Sequence, residues 1–136
     1  MGYTINWDND EKTVVLQQYT QGATKDDWYQ MAQESAKMLG TVSHTVHIII
    51  DERNVFLLAN AKDMSYLEKL VPPNEGICIM VVSRYQFLYK TEAKKLREQF
   101  FPNSHHEAYF VETIDEARQL LQEKFGVIYA TSSDGS

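Results

Sequence analysis

The sequence predicts an α/β domain: a single mixed β-sheet of about five strands with about four helices packed against it. Three observations carry that prediction. Near the start, Tyr3 to Trp7 has strand periodicity, and Lys12 to Tyr19, with its β-branched and apolar Thr13, Val14, Val15 and Leu16, follows at hairpin distance. After them, β-branched apolar runs alternate with segments whose apolar residues recur at helical spacing, which is the signature of parallel strands joined by helices. The chain holds 136 residues, of which 43% are hydrophobic, so one domain can bury a core without covalent staples.

The elements follow in order. Tyr3, Ile5 and Trp7 alternate with Thr4 and Asn6, so the two sets point to opposite faces of a strand. Asp8-Asn9-Asp10-Glu11 reads as a turn, because Asp and Asn side chains bond their own backbone there. Lys12 to Tyr19 is the second strand, and Gly22 ends it. Thr24 with Asp27 makes a capping-box start, and Trp28, Met31, Ala32, Ser35 and Leu39 form one face of a helix that ends at Gly40. Val46 to Ile50 is almost continuously apolar, so it is expected in the middle of the sheet, covered on both faces.

Asn60 and Asp63 open a second helix along Met64, Leu67 and Val71, which Pro72-Pro73 stops. Ile77 to Val82 is another buried strand, with Cys78 inside it. A third helix is expected from Leu88 to Phe101, with Tyr89, Ala93, Leu96 and Phe100 on its inner face and Pro102 beyond its end. Ala108 to Val111 is a further strand. Thr113 and Glu116 cap a final helix along Ile114, Ala117, Leu121 and Phe125, closed by Gly126. Val127-Ile128-Tyr129 reads either as a short edge strand or as a frayed end. Residues 1–129 thus form one domain, and the small polar residues 130–136 are expected to be a disordered tail.

Several stretches resemble the STAS domain, the module of anti-sigma-factor antagonists and sulfate-transporter tails. They are the apolar run ending in acid, Val46-His47-Ile48-Ile49-Ile50-Asp51, then Gly76-Ile77-Cys78-Ile79-Met80-Val81-Val82, then Phe110-Val111-Glu112-Thr113-Ile114-Asp115-Glu116-Ala117. The resemblance covers most of residues 3 to 125. It implies a non-enzymatic regulatory or interaction domain, more similar to a divergent bacterial branch than to a phospho-antagonist. Phosphorylatable members carry Asp-Ser-Ser shortly after the central strand; the matching stretch here is Ala59-Asn60-Ala61, which has no hydroxyl. Ser65 is the nearest serine, about one helical turn on, and Asn60 remains able to cap a helix.

Composition excludes several classes. Cys78 is the only cysteine, which leaves no internal disulfide and no thiolate zinc site. No apolar run approaches the ~20 residues of a membrane span. The start has no basic region followed by an apolar one, so cytoplasmic residence is the expectation. A net charge of −6 argues against affinity built on phosphate neutralisation, so no nucleic-acid partner is expected. Catalytic motifs are missing too: Ser83 has no Gly-x-Ser-x-Gly elbow, and no glycine-rich loop cradles a phosphate. His44 and His47 point to opposite faces if extended, and so do His105 and His106, so no metal or other cofactor is expected.

Two candidate sites remain. Ligands in open α/β sheets collect beyond the carboxyl ends of the strands, where this sequence places Asp51 and Arg53 after one strand and Arg84 after the next. If those strands are neighbours, Arg53 and Arg84 could converge on an anion, with Asp51 orienting one guanidinium and Asn60 close by at its helix start. The alternative is ordinary ion pairing. The second candidate is Tyr85, Phe87 and Leu88, followed by Lys90, Lys94, Lys95 and Arg97, an amphipathic docking face for an acidic partner or an anionic membrane surface. The expected function is therefore binding of a protein partner, a second copy of the chain or a small ligand. The alternative is a small-molecule or lipid carrier, or a small enzyme with a pocket near Tyr85 to Leu88.

Overall fold

The computed structural model describes residues 2–55, 60–88, 95 and 108–129. Strands β1 (Tyr3–Trp7) and β2 (Val14–Tyr19) form the expected hairpin, antiparallel, with Tyr3 opposite Tyr19 and Trp7 opposite Val15. Asn9 holds the turn between them. Its buried side chain accepts from the N–H groups of Thr13 and Val14 at 3.0 and 3.2 Å, as short polar side chains do where backbone groups would otherwise go unpaired.

From β2 onward each strand lies parallel beside its predecessor, giving the order β1-β2-β3-β4-β5 with β3 (Val46–Asp51), β4 (Glu75–Val81) and β5 (Ala108–Val111). The described helices are α1 (Lys25–Leu39), α2 (Ala61–Lys69), α3 over residues 84–88 and α4 (Ile114–Phe125). The architecture is therefore α/β on one mixed sheet of five strands, with β3 in the middle as its apolar run requires.

Side-chain alternation sends the sheet's two faces to different helices. Leu16, Ile49, Ile79 and Val81 pack under Ala117 and Leu121 of α4. On the other face Val15, Val46, Ile48 and Cys78 meet Leu39 of α1, while Tyr3 and Tyr19 surround Met31. Gln17, a buried polar side chain in that layer, donates to Ser35 of α1 at 3.0 Å, so burial leaves that amide donor satisfied.

Helices α1 and α2 are joined through one carboxylate. Asn60 caps α2 and Asp63 answers it, each side chain taking the other's N–H at 2.8 and 3.0 Å. Asp63 also accepts from Lys25 Nζ at 2.7 Å and from the Tyr29 hydroxyl, both on α1. Burial would push the Asp63 carboxyl up, but its hydrogen bonds to Lys25, Tyr29 and the Asn60 N–H outweigh that and bring it down to about 2. Replacing it, Asp63→Asn, should lower stability by about 1–3 kcal/mol. A carboxyl with a depressed folded-state pKa stabilises fully above its unfolded value near 4 and loses that contribution as pH falls towards 2. Urea melts from pH 6 down to pH 2 check this: the gap between wild type and variant should close at the acid end.

A β-bulge interrupts the centre of the sheet. Val46 faces Glu75 but Ile48 faces Cys78, so Gly76 and Ile77 together oppose His47. The Ile77 N–H donates to His47 Nδ1 at 3.1 Å. That bond needs a neutral imidazole, and burial holds His47 below its ordinary value. Phe125, at the end of α4, lies against the same ring with centroids 5.5 Å apart.

Several expected boundaries move: β2 begins at Val14 rather than Lys12, and β4 runs from Glu75 to Val81 rather than from Ile77 to Val82. The β3 strand takes in Asp51, and α2 stops at Lys69, short of Val71. The third helix starts at residue 84 rather than at Leu88, because Ser83 and Gln86 form a capping box: Ser83 N–H donates to Gln86 Oε1 at 2.8 Å and Gln86 N–H to Ser83 Oγ at 3.3 Å. Val127, Ile128 and Tyr129 form no strand, yet they are tied down. Val127 is buried beside Val14 and Leu16, Asn9 Nδ2 donates to the Ile128 carbonyl at 3.0 Å, and the Tyr129 hydroxyl donates to Asp8 at 2.7 Å. Arg118 of α4 forks the same Asp8 carboxylate at 2.7 and 3.1 Å. The expected helix between Leu88 and Phe101 apart from Lys95, the pair His105 and His106, the segment from Phe56 to Ala59 and the tail 130–136 lie outside the described residues.

Candidate functional site

The carboxyl ends of β3 and β4 are neighbours, as the sheet order requires, and the loops that leave them carry both candidate sites. Asp51, the last residue of β3, is buried, and its side chain turns back on the loop that follows. It accepts from the Arg53 N–H at 3.2 Å and from Nε and Nη2 of the Arg53 guanidinium, both at 3.0 Å. Burial would push this carboxyl up, but the Arg53 hydrogen bonds prevail and hold it below the usual carboxylate range.

Arg84 does not join that pair. Its side chain is 90% exposed and stands 3.5 Å from Glu112, which follows β5. Each guanidinium therefore serves its own acid, and the convergence expected from adjacent strands is replaced by two separate pairs. Asn60 is likewise occupied, since its side chain caps α2. Of the four residues expected to bind a ligand, Asp51 and Arg53 are brought together, and Arg84 and Asn60 are engaged elsewhere.

The two pairs should respond differently to substitution. Arg53→Ala leaves a buried carboxylate without its partner and should cost about 1–3 kcal/mol. Arg84→Ala breaks an exposed pair of the kind that contributes about 0–1 kcal/mol, so its melting temperature should scarcely move. Thermal melts with and without phosphate or sulfate measure both effects. An anion that raised the melting temperature of wild type but not of Arg84→Ala would overturn this reading, because native-state binding stabilises by mass action.

His44 and His47 each have a backbone partner of their own. His44 Nε2 sits 2.8 Å from the Lys12 carbonyl, and His47 is engaged with the Ile77 N–H. Among the described residues no three His, Cys, Asp or Glu side chains are grouped to hold a metal ion. Cys78 is buried in β4 among Val15, Leu39 and Ile48.

The second candidate site is built differently. Gln86, almost fully buried, donates through Nε2 to the carbonyls of Glu52 and Val55, both at 2.6 Å, while its Oε1 caps Ser83. One amide thus fastens the first turn of α3 to the loop after β3, a junction further secured by the Glu52 N–H on the Val81 carbonyl at 3.0 Å. The residues around Gln86 on this fastened turn point outward. Tyr85 is 92% exposed, Leu88 75% and Phe87 48%, the last leaning edge-on against Phe110 with centroids 5.9 Å apart. The three side chains named from sequence are therefore on the surface, next to the Arg84–Glu112 pair.

Gln86 is the residue that sequence reasoning missed. The signal was present as Ser83-Arg84-Tyr85-Gln86, a Ser-x-x-Gln capping box, but a helix start placed at Leu88 hid it. Asp8 and Arg118, which lie 110 residues apart along the chain, left no comparable local signal. In comparison with known proteins, no family model, no curated protein and no solved structure matches the chain.

Proposed function

We propose that the chain is a non-enzymatic interaction domain of STAS type that binds a protein partner through Tyr85, Phe87 and Leu88. The observation that carries the reading is the exposure of these three large apolar side chains side by side on a turn whose backbone is locked by Ser83 and Gln86. Exposed apolar clusters cost solubility, and aromatic anchors on a rigid frame lose little entropy when a partner covers them. The strand and helix order resembles STAS domains, which supports a regulatory rather than a catalytic role. A small anion between Arg53 and Arg84 is the weaker reading, because both guanidiniums already have acids.

The test is affinity capture from the source cells after cross-linking, with wild type beside Leu88→Asp and Tyr85→Ser. A protein recovered with wild type in stoichiometric amount and lost from both variants, at unchanged melting temperature, supports the proposal. Equal recovery by all three proteins places the partner elsewhere and sinks it.

A further inference from the structure

The far edge of the sheet, away from β5 and α3, is strand β1, and among the described residues no strand pairs with its outer side. Thr20 N–H donates to the Gly2 carbonyl and Asp8 N–H to the Val14 carbonyl, so the even-numbered residues of β1 are those that bond to β2. Antiparallel alternation then turns the N–H and C=O groups of Tyr3, Ile5 and Trp7 outward, and none has a partner among the described residues. Sheet edges are usually protected by a lysine, a proline or a bulge. This strand has none: its sequence is Tyr-Thr-Ile-Asn-Trp, and its register with β2 is unbroken.

We propose that β1 pairs antiparallel with β1 of a second copy of this chain, joining two sheets into one of ten strands about a two-fold axis at Ile5. What selects a second copy is the symmetry of the strand in chemical character. Reading from either end gives aromatic, polar, aliphatic, polar, aromatic. With Ile5 opposite Ile5 of the second copy, Tyr3 stands opposite Trp7 on the face that carries α1, and Thr4 stands opposite Asn6 on the other face. Aromatic and aliphatic cross-strand pairs stabilise such a ladder, and the strand brings no charges into opposition. An isologous contact of this kind closes on itself and cannot propagate. Tyr3 is already fixed in place, since its hydroxyl donates to Glu34 at 2.8 Å, and Lys12 Nζ lies 5.9 Å from the Trp7 ring centre. The pairing is independent of the Tyr85 surface, which lies towards the opposite edge and stays free in the dimer.

Thr4 and Asn6 are exposed, so they can be changed without touching the core. Thr4→Lys with Asn6→Lys sets like charges opposite one another across the axis, twice by symmetry, whereas Thr4→Lys with Asn6→Glu sets opposite charges there. Light scattering on a sizing column and sedimentation velocity, from micromolar to millimolar protein, should find wild type dimeric. The double-lysine protein should dissociate at least about tenfold more readily, and the lysine–glutamate protein should associate again. Leu88→Asp should leave the dimer intact. A wild type that stays monomeric throughout, or a double-lysine protein as dimeric as wild type, overturns the proposal. So does loss of the dimer in Leu88→Asp, which would move the contact to the Tyr85 surface.

Discussion

Ile49→Ala should destabilise the protein by about 2–5 kcal/mol, because it opens a cavity where the sheet can least collapse. Ile49 is fully buried in β3, with Leu16 and Ile79 level with it on the two flanking strands and α4 above. Neighbouring strands held at fixed spacing cannot close over a missing side chain, so the lost transfer energy and the void add together. Urea denaturation should show a lower midpoint with an unchanged slope. A loss below about 1 kcal/mol would contradict the central place of β3.

Gly76→Ala should cost about 2–4 kcal/mol, although it adds only a methyl group. A Cβ on residue 76 would stand 2.7 Å from Cε1 of His47, closer still to Nδ1, and 2.9 Å from Cγ2 of Thr45. The imidazole must move, and the Ile77 N–H then loses its acceptor. The same bond makes wild-type stability depend on pH. His47 binds a proton less readily folded than unfolded, so its contribution is complete above the ordinary histidine value near 6.5 and is lost as pH falls below it through the folded value. Urea melts at pH 7.5 and pH 5 should therefore show a smaller pH effect in Gly76→Ala than in wild type.

Much of the fold was legible because its determinants are local. Alternation in Tyr3 to Trp7, the apolar run before Asp51 and the caps at Thr24, Asn60 and Thr113 each lie within a few residues of what they specify. Tyr85, Phe87 and Leu88, which lie on the surface, were legible as a candidate face because they precede the apolar stripe that begins at Tyr89. Pairing between distant elements was not. Nothing near Arg84 announces Glu112, nothing near Asp63 announces Lys25, and the bulge at Gly76 becomes necessary only once His47 lies beside it. Strand periodicity places a side chain on a face, but the three-dimensional neighbour decides whether a charge is free to meet a ligand.

The order of strands in the sheet repeats their order in the chain, and this bears on kinetics as well as shape. Each new strand docks on the one just formed, so the sheet can assemble progressively without waiting for a remote segment. Among the described residues, the closing contacts span most of the chain: Asp8 with Arg118 at a separation of 110 residues, Asn9 with Ile128 at 119, and Asp8 with Tyr129 at 121. Such contacts belong to the last step of assembly and the first of disassembly. Tyr129→Phe and Arg118→Ala should therefore accelerate unfolding several-fold while leaving the refolding rate nearly unchanged, as stopped-flow chevrons would show. On that expectation Val127, Ile128 and Tyr129, which add no strand to the sheet, would set the lifetime of the folded molecule rather than the rate at which it forms.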